Sequence, residues 1–256
     1  YSAAAVAFML GSVNKPVLFT AAQRSADRGS FDGSLNLVCA AHFVSSGFKG
    51  VAVVMHGSSS DDYCLVHNPT KVRKMHSSRR DAFRSVNDKP LAKVFADGRI
   101  EKMREWTDYG CSRFIGFDEK IALVKAHPCA DPSVLEFYAK QGIRGVIIEA
   151  MGLGHVPTHS KKSWISSVKQ LVRSGVFVGV TTQTLYGRVN PKVYANLREL
   201  ESAGAVFLKD MLPETALVKL GWVLAQEKKL DGITKKMLEL AAGEFNDRLT
   251  DGEFLN

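Results

Sequence analysis

Nowhere in these 256 residues does an uninterrupted apolar run approach the ~20 residues that a membrane-spanning helix needs. The first residues lack a charged segment and a cleavage site, so no secretory leader is expected there. Cysteine is scarce: Cys39, Cys64, Cys111 and Cys129, with no C-x-x-C pair. Zinc ribbons and dithiol redox motifs are thereby excluded. Cys39 falls in an apolar helical run and Cys64 in an apolar strand, where both read as small buried hydrophobes suited to a reducing cytoplasm. His127, His155 and His159 lack the spacing and the acidic or thiol companions of a metal site, so no metal is expected. A serine-nucleophile elbow, G-x-S-x-G, is also missing. Ser58-Ser59-Ser60-Asp61-Asp62 instead reads as a turn closed by local hydrogen bonds. Gly152 and Gly154 follow a predicted strand, but Pro157 stands where a dinucleotide fingerprint needs its third glycine. Internal repeats and low-complexity segments are likewise absent.

What is present is an ordinary globular composition, 45% apolar and 23% charged, with a formal charge of +8. That charge suits an anionic partner or an acidic protein surface, and equally a generally basic surface that aids solubility. Short apolar strands alternate with capped helices, which implies an α/β chain. An apolar helix over 3–13, a strand at 16–20 and a helix over 33–46 open it, the second helix with Leu37, Ala41 and Val44 on one face. Strands follow at 51–55 and 62–67. Asp97-Gly98 marks a hairpin between strands at 92–96 and 99–104. Residues 106–118 lose periodicity and read as a linker. Beyond it come strands at 121–124, 146–148, 176–180 and 206–208. Helices lie between them, entered at Asp131-Pro132, Trp164 and Asn190-Pro191, and stopped at Gly142, Gly175 and Gly204. A helix entered at Pro213 carries Ala216, Leu220 and Val223, and a last helix covers about 231–243. The expected division is an N-terminal α/β domain over 1–115 with a mixed sheet. A C-terminal α/β domain follows over 116–256, with a flavodoxin-like parallel sheet covered on both faces.

The densest chemistry runs from Val51 to Asn87. An apolar strand, a serine-rich turn and a second strand lead to Lys71-Val72-Arg73-Lys74. One reading is a solvated basic loop. The other is a lysine whose neutral form is favoured by neighbouring cations and by burial, as a proton acceptor requires. Arg79, Arg80, Asp81 and Arg84 read as an ion-pair network that fixes this loop.

The wording of these stretches resembles the asparaginase/glutaminase family of threonine-dependent amidohydrolases. VVMHG at 53–57, SDDYC at 60–64, KVRKMH at 71–76 and SRRDAFRS at 78–85 occur in that family's order. AQRSADRGSFDGSLNL at 22–37, GLGHVP at 152–157, TTQTLYGRVN at 181–190 and DMLPETALVKLGWVL at 210–224 extend the likeness over essentially the whole chain. They resemble in particular the branch that provides the glutaminase of the archaeal tRNA-dependent amidotransferase.

The resemblance implies a two-domain asparaginase-like fold and hydrolysis of a side-chain carboxamide. A threonine hydroxyl attacks, and a second threonine, an aspartate and a lysine relay protons. It places the lysine at Lys74 and substrate contacts at Ala22, Gln23 and Asp32. Gly154 and His155 belong to a loop that, in the family, approaches the site of a neighbouring protomer. Arg24 and Arg28 either attract a substrate carboxylate or pair with Asp27 and Asp32. The family's T-G-G-T and H-G-T-D-T segments are expected upstream of Tyr1, so the sequence looks like part of a longer chain. For partners the resemblance implies glutamine, a homodimer, the E-type subunit of the amidotransferase and, through the complex, Glu-tRNA(Gln). It implies no cofactor in this chain, ATP and Mg²⁺ being used by that partner. A stand-alone L-asparaginase and a catalytically silent scaffold or binding domain are the alternatives.

Overall fold

The computed structural model describes residues 1–111, 113–159, 161–249 and 254. The chain forms two compact units. One holds Ser2–Phe114 with Ala241–Gly243 and the described residues from Arg248 on; the other holds Tyr1, Ile115–Leu240 and Glu244–Asp247.

The N-terminal unit begins with α1 (Ser2–Leu10), whose end is turned by Gly11 at φ 58°. Next come β1 (Pro16–Phe19), α2 (Gly33–Val44), β2 (Gly50–His56) and β3 (Tyr63–His67). Then come β4 (Val72–Lys74), β5 (Phe83–Ser85), β6 (Ala92–Phe95) and β7 (Ile100–Lys102). The main sheet has the order β1-β2-β3-β6-β7. The β1–β2 pair is parallel and the other pairs antiparallel, so the sheet is mixed as expected. Gly98, at φ 89°, makes the β6–β7 turn that Asp97-Gly98 announced. β4 and β5 form a separate two-stranded hairpin. The basic segment is therefore a strand rather than a loop.

α2 packs through Cys39, Ala40 and Phe43 onto Ala52 and Val54 of β2, Cys64 and Val66 of β3, and Ala92 and Val94 of β6. Phe43, Phe48 and Trp106 close this core, with ring centroids 5.3–5.5 Å apart. The face expected to be buried, Leu37, Ala41 and Val44, is the exposed one: Leu37 and Val44 are 63% and 52% exposed. Both stripes of this helix are apolar, so periodicity alone does not choose between them. Cys39 and Cys64 are fully buried, as expected, and both are free thiols.

The C-terminal unit holds β8 (Ile121–Lys125), α3 (Ser133–Lys140), β9 (Gly145–Ala150), α4 (Trp164–Arg173) and β10 (Phe177–Thr182). α5 (Ala195–Ser202), β11 (Val206–Phe207), α6 (Pro213–Leu224) and α7 (Leu230–Leu238) follow. Its four strands are all parallel, in the order β11-β10-β9-β8. Sequential order with right-handed crossovers puts α3, α4 and α5 on one face. Val146, Ile148, Ala150, Val178 and Val180 point there, into a core with Leu135, Trp164, Val168, Leu171 and Leu200. Gly145 lies against Leu220 of α6, as side-chain alternation requires for a sheet covered on both faces. Hence every residue of β9 and β10 is buried.

Helix boundaries follow local chemistry. Asp131 accepts from Ser133 N at 3.0 Å, and with Lys162 2.9 Å away its carboxyl falls to a pKa of about 2. Ser163 caps α4 through Ile165 N, and Pro213 enters α6 in the first turn. Asn190-Pro191 does not cap α5. Asn190 Oδ1 accepts from Lys192 N at 3.0 Å in a local turn, and the helix begins at Ala195, leaving Val193 exposed. α7 ends at Leu238, short of the expected 243.

Candidate active site

The loop leaving β1 carries Ala22, Gln23 and Asp32. Asp32 sits at the start of α2, but its carboxylate does not cap that helix. It turns back and accepts from Gln23 N at 2.9 and 3.0 Å and from Arg24 N at 2.9 Å. Asp32 is fully buried and Ala22 exposed. A Cβ on Gly33 would lie 2.3 Å from the Phe31 ring and 3.3 Å from Ala22, so a larger residue here would have to displace that ring. Two backbone N–H groups folded onto one carboxylate shape this loop, so Asp32 organises the backbone around Ala22 and Gln23. Among the described residues neither Arg24 nor Arg28 forms an ion pair with Asp27 or Asp32.

A buried polar chain runs inward from this loop. Asn36 Nδ2 donates to Ala21 O at 2.8 Å and to Asp32 Oδ2 at 3.4 Å. Asn36 Oδ1 meets His56 Nδ1 at 2.6 Å and the Cys64 thiol at 3.3 Å. His56 Nε2 lies 3.1 Å from Asp61 Oδ1, which also accepts from Arg80 at 2.7 Å. The bond from His56, with Arg80 adding to it, holds the Asp61 carboxyl below the usual carboxylate range against partial desolvation. Sequence reasoning placed Asp61 in a plain turn. Ser58 and Asp62 do close that turn, while the largely exposed Asp61 carboxylate bonds to His56. His56 itself was missed. Its signal was a histidine ending a fully apolar strand run just ahead of two aspartates.

Lys74 ends β4, paired with Phe83 of β5, and Met75 N donates to Ala82 O at 2.7 Å to close the hairpin. The expected ion-pair network is present. Asp81, 5% exposed, binds Arg79 at 2.8 and 2.9 Å and Arg84 at 2.6 Å. The Arg79 bond is the main cause that keeps the Asp81 carboxyl low. Arg84 also donates to Gly57 O at 3.4 Å, and Arg80 to Ser59 O at 3.1 Å. The hairpin is thus tied to the loop at the C-terminal end of β2, the edge of a parallel pair at which ligands commonly bind. The surroundings of Lys74 differ from expectation. It is exposed, and Arg79 and Arg84 both pair with Asp81, so burial and those uncompensated cations are absent around its amine. Among the described residues no ion pair engages Lys74 itself.

At the other end of β5, Ser85 Oγ lies 2.9 Å from Nδ1 of His67. His67 is fully buried, Nε2 has no hydrogen-bond partner among the described residues, and desolvation, with Arg84 nearby, pushes its pKa down to about 3.

Gly154 and His155 lie in the C-terminal unit, in the turn after β9, where Met151 and His155 pair across a β-bridge. Gly154 has φ +115°, and a Cβ there would lie 2.6 Å from the Phe207 ring. The His155 ring centroid lies 5.2 Å from that of Tyr194. Among the described residues, no cluster of three or more His, Cys, Asp or Glu can hold a metal ion, and no helix is long and apolar enough to cross a membrane.

Residues 1–107 match the family model for the N-terminal asparaginase domain, and residues 120–237 match that for the glutaminase/asparaginase C-terminal domain. The chain belongs to the glutaminase/asparaginase family. Across its full length it is 46% identical to the D-type subunit of glutamyl-tRNA(Gln) amidotransferase from Pyrococcus furiosus, covering 58% of that protein. Over 95% of its length it is 48% identical to the corresponding D-type protein of Thermococcus kodakarensis, covering 56% of it. Thus the chain spans a little over half the length of these curated relatives. Its fold matches the thermostable L-asparaginase of Thermococcus kodakarensis with TM-score 0.88 at 27% identity, over 97% of this chain and 73% of that one. L-asparaginase I of Vibrio cholerae matches with TM-score 0.81 at 26% identity, over 96% and 72% of the two chains. The glutaminase/asparaginase pattern thus extends through both units.

Proposed function

We propose that this chain is the amidohydrolase part of a tRNA-dependent amidotransferase. It would release ammonia from the side chain of glutamine for a partner, the E-type subunit, that uses ATP and Mg²⁺ to convert Glu-tRNA(Gln) to Gln-tRNA(Gln). The observation that carries the reading is identity of 46–48% with D-type amidotransferase proteins across 95–100% of the chain. Against L-asparaginases of the same fold it is 26–27%.

In this reading the complete protein brings the family's threonine hydroxyl to the glutamine amide carbon. The hydroxyl attacks, the C–N bond breaks as ammonia leaves, and water then releases glutamate from the acyl-enzyme. A hydroxyl is a weak nucleophile, so an adjacent base must take its proton. Lys74 supplies the amine, and the backbone at Ala22 and Gln23, shaped by Asp32, lines the substrate amide. Gly154 and His155 border the site of the neighbouring protomer in a homodimer. The complex works in the cytoplasm.

A stand-alone L-asparaginase is the second reading, favoured by the fold match. The deciding measurement is ammonia release from L-glutamine and from L-asparagine by the complete protein, with and without its amidotransferase partner, Glu-tRNA(Gln) and ATP. Preference for glutamine and stimulation by the tRNA complex are expected. Asparagine preference without stimulation would establish the second reading instead.

A further inference from the structure

We propose that His56 is a positioning residue that registers the β1–α2 loop against the β4–β5 hairpin, holding the Ala22–Arg24 backbone and the Lys74 amine in one geometry. The inference rests on the amidohydrolase reading of those two segments and assigns a role to a side chain outside them.

The two segments are 50 residues apart in sequence, counted from Arg24 to Lys74, and a single hydrogen-bonded chain joins them. Gln23 N and Arg24 N donate to Asp32, Asp32 accepts from Asn36, Asn36 meets His56, His56 meets Asp61, and Asp61 accepts from Arg80. The orientation of Asn36 follows from its partners. Ala21 O and Asp32 Oδ2 are pure acceptors and take the NH₂ group, so Oδ1 points at His56. His56 Nδ1 faces that oxygen and Nε2 faces the Asp61 carboxylate, so both ring nitrogens of the fully buried His56 are engaged, one at each end of the ring.

The ring is also the rigid member of the chain. Strand β2 fixes its backbone, and Asn36 and Asp61 fix its plane. The groups around it come from each neighbouring element. They are Asn36 and, behind it, Asp32 from the α2 side, Cys64 from β3, Asp61 from the loop, and Arg80 from the hairpin. Asp61 is 64% exposed at its side chain, so without His56 it would be a freely moving surface carboxylate and a poor anchor for Arg80. Arg80 sits six residues beyond Lys74; its side chain is 16% exposed, and its guanidinium spans Asp61 and Ser59 O. Removing the ring therefore takes one anchor from the hairpin tip on one side and one from Asn36 on the other.

The test uses the complete protein and three readouts. In His56→Leu, kcat for ammonia release falls by about 10–100-fold, the scale of a small misplacement of reacting groups. The backbone amide resonances of Gln23 and Arg24 move, although the substitution lies across Asn36 and Asp32 from them. The double variant His56→Leu/Arg80→Ala loses no more than the worse single variant, because both cut the same chain. Unmoved amides, an unchanged kcat, or multiplying deficits would each overturn the proposal. If His56→Leu does not fold, Asp61→Asn removes the same link from the exposed end and is read identically. The amide shifts do not depend on activity. A failure of the amidohydrolase reading, seen as full turnover by Lys74→Met, is thus distinguishable from a failure of His56 to couple the segments.

Discussion

Lys219 and Glu244 form an ion pair in the C-terminal unit with neither side chain exposed. The Lys219 ammonium also donates to Met237 O at 3.1 Å and to Glu239 O, and lies 5.4 Å from the Phe245 ring centroid. α6 is buried along nearly its whole length, so Lys219 has no route to water and must be neutralised where it stands. The residues after α7 are folded inward to meet it.

Lys219→Met is therefore expected to cost about 3–5 kcal/mol, because it removes the opposite charge from a buried carboxylate. Lys219→Met with Glu244→Leu should recover much of that loss, since both charges are then removed. Urea unfolding of the two variants measures this. Equal destabilisation by the single and double changes would count against a buried, mutually dependent pair.

His67 links stability to pH. In the unfolded chain its ring protonates as pH falls through the ordinary value of 6.5, whereas in the fold it stays neutral down to about 3. Between those values the unfolded state binds the extra proton. Stability is therefore fully present above 6.5 and falls as pH falls through that window, with a limiting slope of about 1.4 kcal/mol per pH unit. His67→Gln keeps a polar partner for Ser85 without titrating, and its stability should fall less steeply as pH drops below 6.5. Denaturation midpoints across that range decide it, and parallel curves for the two proteins would refute the assignment.

The sheets and most helices were legible because their apolar periods and stop signals agree, as with Pro213, Gly142 and Gly204. What escaped was what spacing does not encode. α2 has apolar residues on both stripes, and the face with Asn36, Cys39, Ala40 and Phe43 is buried rather than that with Leu37 and Val44; Asn36 there reaches Ala21, Asp32 and His56. Val72-Arg73-Lys74 looks like a solvated loop because its charges mask a strand. The strand exists because β5 returns to pair with it and Asp81 neutralises Arg79 and Arg84. Of two adjacent aspartates, Asp61 bonds to His56 and Asp62 to Ser58, which only the path of the loop decides. Lys74, Ala22, Gln23 and Asp32 were reached through resemblance, and Asp32 and Gln23 do meet through the Gln23 backbone N–H.

Gly154 has a structural requirement of its own. Its φ of +115° and a Cβ position 2.6 Å from Phe207 make any side chain strained and crowded. Gly154→Ala should destabilise by about 1–3 kcal/mol from overpacking. Phe207→Leu in the same chain should relieve the clash and leave the backbone strain. Thermal unfolding of the single and double variants reads the two contributions apart. An unchanged melting temperature for Gly154→Ala would mean that the turn after β9 adjusts freely.

Lys74→Met tests the chemistry most directly, because little else depends on this side chain. It is exposed at the end of β4, and among the described residues no ion pair engages it. Surface changes of that kind usually stay within about 0.5 kcal/mol of wild-type stability. Methionine keeps the apolar stem and removes the amine. In the complete protein, ammonia release from glutamine should fall by about 10²–10⁴-fold, the usual contribution of a general base. Circular dichroism should stay unchanged. Asp81→Asn provides the contrast. It removes the charge that holds Arg79 and Arg84 but leaves Lys74 in place, so its loss should be smaller and accompanied by a lower melting temperature. A folded Lys74→Met protein with near-normal turnover would remove the amine from the reaction. The basic strand would then be a surface of the hairpin and no part of the site.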